Sequence, residues 1–209
     1  MVPRKLLVLA LLVVIGACRH DDGTYELVPV SLSLTATSQQ TVTAAVIDRR
    51  PYVLNGDESP SFLGTERANW GGTKDIKTGS GRSLADEVGD AVVRALENQG
   101  VAASALQPAK GADAAEMLAL FQAQGADRLL MVELQDWRTD VYTRVKLRWR
   151  LEAIVYDRSG DVLGRSDSQG FAPVSRTDLK GQYAILAADE LSEKLSNLLN
   201  ERTITDALR

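Results

Sequence analysis

The chain has 209 residues, 44% of them hydrophobic, with 24 Lys and Arg against 28 Asp and Glu and a formal net charge of −4. That mild acidity argues against nucleic acid, whose binding rests on clustered Lys and Arg neutralising phosphates, and the apolar share is that of a globular chain. The single cysteine, Cys18, rules out an internal disulfide, and the single histidine, His20, leaves no second imidazole for a catalytic or zinc site further along.

The first residues, Met1 to Lys5, are short and basic. An apolar run from Leu6 to Ile15 follows, then Gly16-Ala17-Cys18. A charged start, an apolar stretch of this length and small residues before a cleavage point make an export signal. A membrane span needs roughly 20 apolar residues, and this run is shorter. Ile15-Gly16-Ala17-Cys18 resembles the bacterial lipoprotein signal, an aliphatic residue and two small ones before the cysteine. The resemblance implies cleavage after Ala17, diacylglycerol on the Cys18 sulfur and a further acyl chain on the new amino group. Two or more chains anchor stably where one does not. Arg19, where enterobacterial inner-membrane lipoproteins carry aspartate, points to the outer membrane, facing the periplasm. The expected organisation is a signal peptide over 1–17, a lipidated cysteine and tether over 18–26, and one periplasmic domain over 27–209. The polar tether, Arg19 to Glu26, reaches at most about 28 Å.

From Leu27 to Leu34 apolar and polar residues alternate with period two, which predicts a strand. A second strand is expected over Thr41–Asp48. Between Arg49 and Arg82 lies a stretch rich in Gly, Pro, Asn, Asp and Ser, read as a long loop with room for a further strand near Thr73–Thr78. Ser83 opens a helix, with Asp86 placed for a capping box. Leu84, Val88, Ala91, Val92, Ala95 and Leu96 fall on its apolar face, and Gly100 stops it. A second helix runs from Asp113 to Gln124, with Met117, Leu118, Leu120 and Phe121 as its core and Gly125 as its end.

Strands are expected over Arg128–Thr139, Arg144–Asp157 and Val162–Phe171, the last two joined by the turn Asp157-Arg158-Ser159-Gly160. In the middle one Val145, Leu147, Trp149, Leu151, Ala153 and Val155 share one face, while Arg144, Lys146, Arg148, Arg150 and Glu152 share the other. One face meets a core and the other meets water. A last helix, Asp178–Glu201, buries Ile185, Leu191, Leu195, Leu198 and Leu199. The order β-β-loop-α-α-β-β-β-α predicts an α+β fold, a mostly antiparallel sheet with two to three helices packed on one face.

Several of these features together resemble the YajG-like family of uncharacterised bacterial lipoproteins. They are the lipobox cysteine, Val46-Ile47-Asp48-Arg49-Arg50-Pro51, Gly81-Arg82-Ser83-Leu84 opening a helix that ends Glu97-Asn98-Gln99-Gly100, the hairpin Leu147–Val162, and the tail Ile204–Arg209. The resemblance implies a compact α+β domain of periplasmic accessory type and carries over no catalytic residue.

Carboxylates are the remaining enzymatic route. Asp86, Glu87, Asp90, Glu133 and Asp136 are the candidates, and such exposed acids are ordinarily solubilising. Arg49 and Arg50 could offer guanidinium forks to a carboxylate or phosphate. The plainer reading has Pro51 ending a strand and both arginines pairing with nearby acids. The stripe Arg144, Lys146, Arg148 and Arg150 could dock on anionic lipid or glycan, or simply be a solvated sheet face. Trp149 points to the core. Trp70 in the Gly-rich loop and Trp137 beside a turn are the candidate exposed anchors, since tryptophan is enriched at binding hot spots.

These readings converge on an outer-membrane lipoprotein with no cofactor or metal and no enzymatic activity, attached to the membrane through lipid on Cys18 and binding another envelope protein. The alternatives are a lipid- or glycan-binding module using the basic stripe and a carboxylate-dependent glycan hydrolase.

Overall fold

The computed structural model describes residues 30–67, 71–109, 111–174 and 183–209. The predicted leader and tether, Cys18 with its expected lipid, and Trp70 lie outside the described residues. The elements in chain order are β1 (Val42–Asp48), α1 (Pro51–Leu54), β2 (Phe62–Arg67), β3 (Thr73–Lys77), α2 (Leu84–Asn98), β4 (Ala103–Leu106), α3 (Ala114–Gln124), β5 (Arg128–Val141), β6 (Val145–Asp157), β7 (Val162–Val174), α4 (Tyr183–Leu199) and α5 (Arg202–Leu208). The fold is α+β, on a mixed seven-stranded sheet.

Strand β5 organises that sheet. Along one side it pairs antiparallel with β6 over its whole length, and β6 pairs antiparallel with β7. Along the other side it is shared end to end. Strand β1 lies parallel to residues 128–134, and β2 lies parallel to residues 139–141. Parallel β4 flanks β1, and antiparallel β3 flanks β2. Between the two partners the β5 register slips, between Leu134 and Asp136, a bulge that falls where one neighbour stops and the next begins. Strand β2 then comes in very close. A Cβ at Gly64 would stand 2.1 Å from the Thr139 carbonyl oxygen, so only glycine permits this contact.

The expected long loop therefore holds α1, β2 and β3. The strand foreseen near Thr73 is β3, while β2 and the short β4 are additions. The period-two segment at the N-terminal side of the domain is corrected. Residues 30–38 do alternate in burial, with Val30, Leu34 and Ala36 inside, but they join no strand. They lie along α4, where Ser31 and Ser33 donate their N–H groups to the hydroxyls of Ser192 and Ser196, both at 3.1 Å. Thr35 donates its N–H to Asn200 Oδ1 (2.8 Å), and Asn200 returns a bond to the Ser33 carbonyl (2.8 Å). Two residues of extended chain advance about 6.6 Å and four residues of helix about 6 Å, so the two repeats stay in step. A helix supplies the ladder that a neighbouring strand would.

The helices end as their sequences dictate. Ser83 Oγ accepts the Asp86 N–H at the start of α2, and all six residues of its expected apolar face are buried. Asp113 caps α3 through the Glu116 N–H, and Gly125 leaves it in the left-handed region. In α3, Met117 and Phe121 are buried, but Leu120 is 41% exposed. The core lies on both faces of the sheet. Helices α2, α4 and α5 cover one face, over Ala44, Val46, Leu130, Val132 and Leu151. Helix α3 covers the other, over Ala45, Ile47, Leu129, Met131, Ile154 and Tyr156. Helices α2 and α4 share one face as expected, and α5, formed by the tail, joins them. Helix α3 departs from that arrangement because odd-numbered β1 and β5 residues are as apolar as their neighbours.

Candidate functional site

Helix α3 is short, and its cover ends at Met131 and Ile154. Beyond that line the same sheet face turns polar, beginning with Glu133 directly opposite Glu152. Like charges across a ladder repel, and the bulge resolves this. Gln135 donates its side-chain amide to both carboxylates, at 3.1 and 3.0 Å. Arg49 stands 3.9 Å from Glu133, and Arg165 pairs with Glu152.

The turn after β1 closes the site on its other side. Arg50 is wholly buried. Its guanidinium grips both Asp48 oxygens (2.8 and 2.6 Å) and donates to the carbonyls of Phe62 and Pro60. It fastens the segment before β2 to the end of β1. Pro51 sets the helical start of α1, which brings Tyr52 over the bulge. The Tyr52 hydroxyl donates to the Trp137 carbonyl (2.7 Å) and accepts from the Trp137 N–H (3.2 Å). One phenol thus satisfies the backbone where neither β1 nor β2 reaches. Burial pushes the Tyr52 hydroxyl up to about 12, against the lowering effect of the Arg50 charge. The ring packs edge-on to Phe62 at 5.7 Å, and the Arg138 guanidinium lies 5.7 Å from one ring centre and 5.6 Å from the other.

These pieces frame an open groove of about 750 Å³ lined by Arg49, Tyr52, Glu133, Asp136, Arg148 and Arg150. Three of the arginines singled out in the sequence, from segments about a hundred residues apart, meet there. Arg148 pairs with Asp136 at 2.5 Å. Arg150 and, farther along the face, Lys146 and Arg144 are exposed; among the described residues they form no ion pair. Arg150 sits beside Gln169 and Arg148 beside Phe171, which is 66% exposed. Tyr142, 58% exposed, stands in the turn at the end of the face.

Other expected residues fall elsewhere. Arg50 is no surface contact, being enclosed by its own ion pair. Trp137 is corrected outright: it is fully buried on the helix-covered face, and among the described residues its indole N–H has no partner. Trp149 is partly buried against the core. Its indole donates to Ser168 Oγ (3.0 Å), Lys194 lies over its ring, and a Cβ at Gly170 would come within 2.4 Å of it. Of the carboxylate candidates, Glu87 bonds Ser80 and Asp90 pairs with Arg82 (2.6 Å). Sequence reading missed Tyr52, Gln135 and Glu152, whose meeting depends on the bulge. A second cavity, of about 210 Å³, lies beside the start of α2 among Val46, Val53, Leu54, Asp86, Gly89 and Leu106. It is smaller than the roughly 300 Å³ at which ordinary ligand pockets begin.

The class defined by this geometry is an α+β domain on a curled mixed sheet, with helices on both faces and half of one face open. Protein XCC0632 from Xanthomonas campestris, of family DUF330, shares that fold. It is 16% identical, with 85% of this chain and 94% of that chain covered and a TM-score of 0.53. Weaker likeness extends to a PelC dodecamer from Paraburkholderia phytofirmans (11% identity, 83% and 93% covered, TM-score 0.45). It extends also to lipoprotein GNA1162 from Neisseria meningitidis (14%, 76% and 99%, 0.31). No family model and no curated protein matches the sequence. Among the described residues no helix is long and apolar enough to cross a membrane.

Proposed function

We propose that the chain is a lipid-anchored accessory protein of the outer membrane, facing the periplasm, that binds another envelope protein through the open half of its sheet. The observation that carries this is the make-up of that face. Its cations alternate with acids: Arg67 pairs with Asp140, Arg138 with Glu58, Arg148 with Asp136 and Arg165 with Glu152. An anionic lipid surface attracts uncompensated Lys and Arg, and here most of the positive charge is already answered. Arginine beside exposed aromatics, Phe171 and Tyr142, is instead the composition of protein interfaces. Lipidation rests on the Ile15–Cys18 signal, and the motif order shared with YajG-like lipoproteins supports the same reading. A non-enzymatic role is part of the proposal, since Glu133 and Glu152 are tied to Gln135, Arg49 and Arg165.

In-cell cross-linking of the full-length lipidated protein, with captured species identified by mass spectrometry and Cys18→Ala as control, tests it. One discrete envelope protein, lost in the control, is the expected result. Adducts to lipid or glycan alone would overturn it and promote Lys146 and Arg150 as a headgroup or saccharide contact.

A further inference from the structure

We infer that β7 is the docking strand: the partner adds an extended segment to its open edge, with acidic side chains opposite Gln169 and Pro173. This rests on the accessory reading above and names how the partner is held. Strand β7 is thirteen residues long and, among the described residues, pairs with β6 alone. Its outer edge therefore presents a row of backbone N–H and C=O groups, a ready template for another chain. Arg165 and Pro173 guard the two ends, and the residues between them are mostly small or polar.

Two faces of the edge define what fits. On the helix side, Ser166, Ser168, Gly170 and Ala172 are half-buried and small, and the Trp149 ring reaches under Gly170 to bond Ser168. A partner side chain on this side would rest against the indole. On the open side, Phe171 projects beside Arg148, and the unpaired cations Arg150 and Lys146 lie beside Gln169 and Pro173. An added strand would lie two strand spacings, about 10 Å, from β6. An arginine or lysine arm from β6 and a glutamate or aspartate from the added strand close that gap between them. Asp167, farther along, faces the same side and disfavours acid at the neighbouring position. The recognised segment is thus extended, acidic over one end and apolar at alternate positions, and it gains affinity from main-chain bonds and specificity from alternate side chains.

The experiment is site-specific photo-cross-linking in cells with the full-length lipidated chain, the probe residue replacing Asp167, Gln169 or Phe171 in turn and Asp75 of the opposite edge as control. Sequencing the cross-linked peptides reads the register. Capture of one protein from all three β7 positions and none from position 75 is the expected result. The partner attachment sites should step by two residues per probe step, in an acidic segment, and Arg150→Glu should cut the yield about tenfold. Attachment sites that step irregularly, or lie in a helical or basic segment, would overturn it, as would capture of a second copy of this chain. If whole-surface cross-linking captures the envelope protein while the β7 probes do not, the docking strand fails and the accessory role stands. Should neither method capture any protein, both fall.

Discussion

Arg50 and Tyr52 carry the junction on which the groove depends, and each makes a sharp prediction. Arg50→Ala would leave a buried Asp48 carboxylate and two carbonyls without their donor. The expected loss is about 3–5 kcal/mol in chemical denaturation, the cost of breaking one side of a buried pair. Arg50→Lys should recover little of it, because an ammonium cannot match the two-pronged grip. Tyr52→Phe removes the hydroxyl that serves both Trp137 backbone groups, for an expected loss of about 1–3 kcal/mol. The Tyr52 hydroxyl is raised from 10.0 to about 12 by burial, so the unfolded chain loses this proton first. Stability linked to this residue is whole below pH 10 and falls as pH rises from 10 towards 12. Comparing denaturation midpoints at pH 8 and pH 11, the wild type should lose more than Tyr52→Phe does. Equal losses would contradict the assignment. At this scale the sequence is partly legible. Arginine pairing with Asp48 follows from composition and Pro51, but the burial of Trp137 does not. Leu130, Val132 and Leu134 face the helices, and simple alternation would turn residue 137 outward. The bulge after Leu134 flips the parity, and Trp137, Thr139 and Val141 face in.

Among the elements, the segment at 30–38 is the clearest case of a pattern with two physical causes. Alternating burial follows from any extended chain laid on a core, whether its backbone is met by a strand or by Ser192, Ser196 and Asn200 on one stripe of α4 and the turn after it. The period is readable and the partner is not. Asn200→Ala should cost about 1–3 kcal/mol and speed hydrogen exchange at Thr35 well beyond any change in β6. Uniform acceleration would mean that the helix does not hold the segment independently. Helices α2 and α3 are legible to their caps, because Ser83 and Asp113 each sit three residues before the amide they accept. Strands β2 and β4 are hidden. The first carries Gly64 inside it, and the second is four residues long with a plain Ala-Ser-Ala-Leu sequence.

For the whole molecule, what matters is that one sheet face is divided. Helix α3 covers the end near Met131 and Tyr156, and the rest stays open with the groove and the cations of β6. The alternation along β6 makes that cationic face readable from sequence. Its meeting with Arg49, and its neighbour Phe171 on a strand that among the described residues pairs only with β6, require the strand order. Whether a protein partner sits on this face can be decided with Lys146→Glu/Arg150→Glu in the full-length lipidated protein. The quantity to measure is the yield of the cross-linked envelope partner, with denaturation midpoints as the folding control. The yield should fall at least about tenfold, the cost of like charges set against each other at an interface, with the midpoint unchanged. An unchanged yield from a normally folded double variant would contradict it and place the partner elsewhere on the molecule.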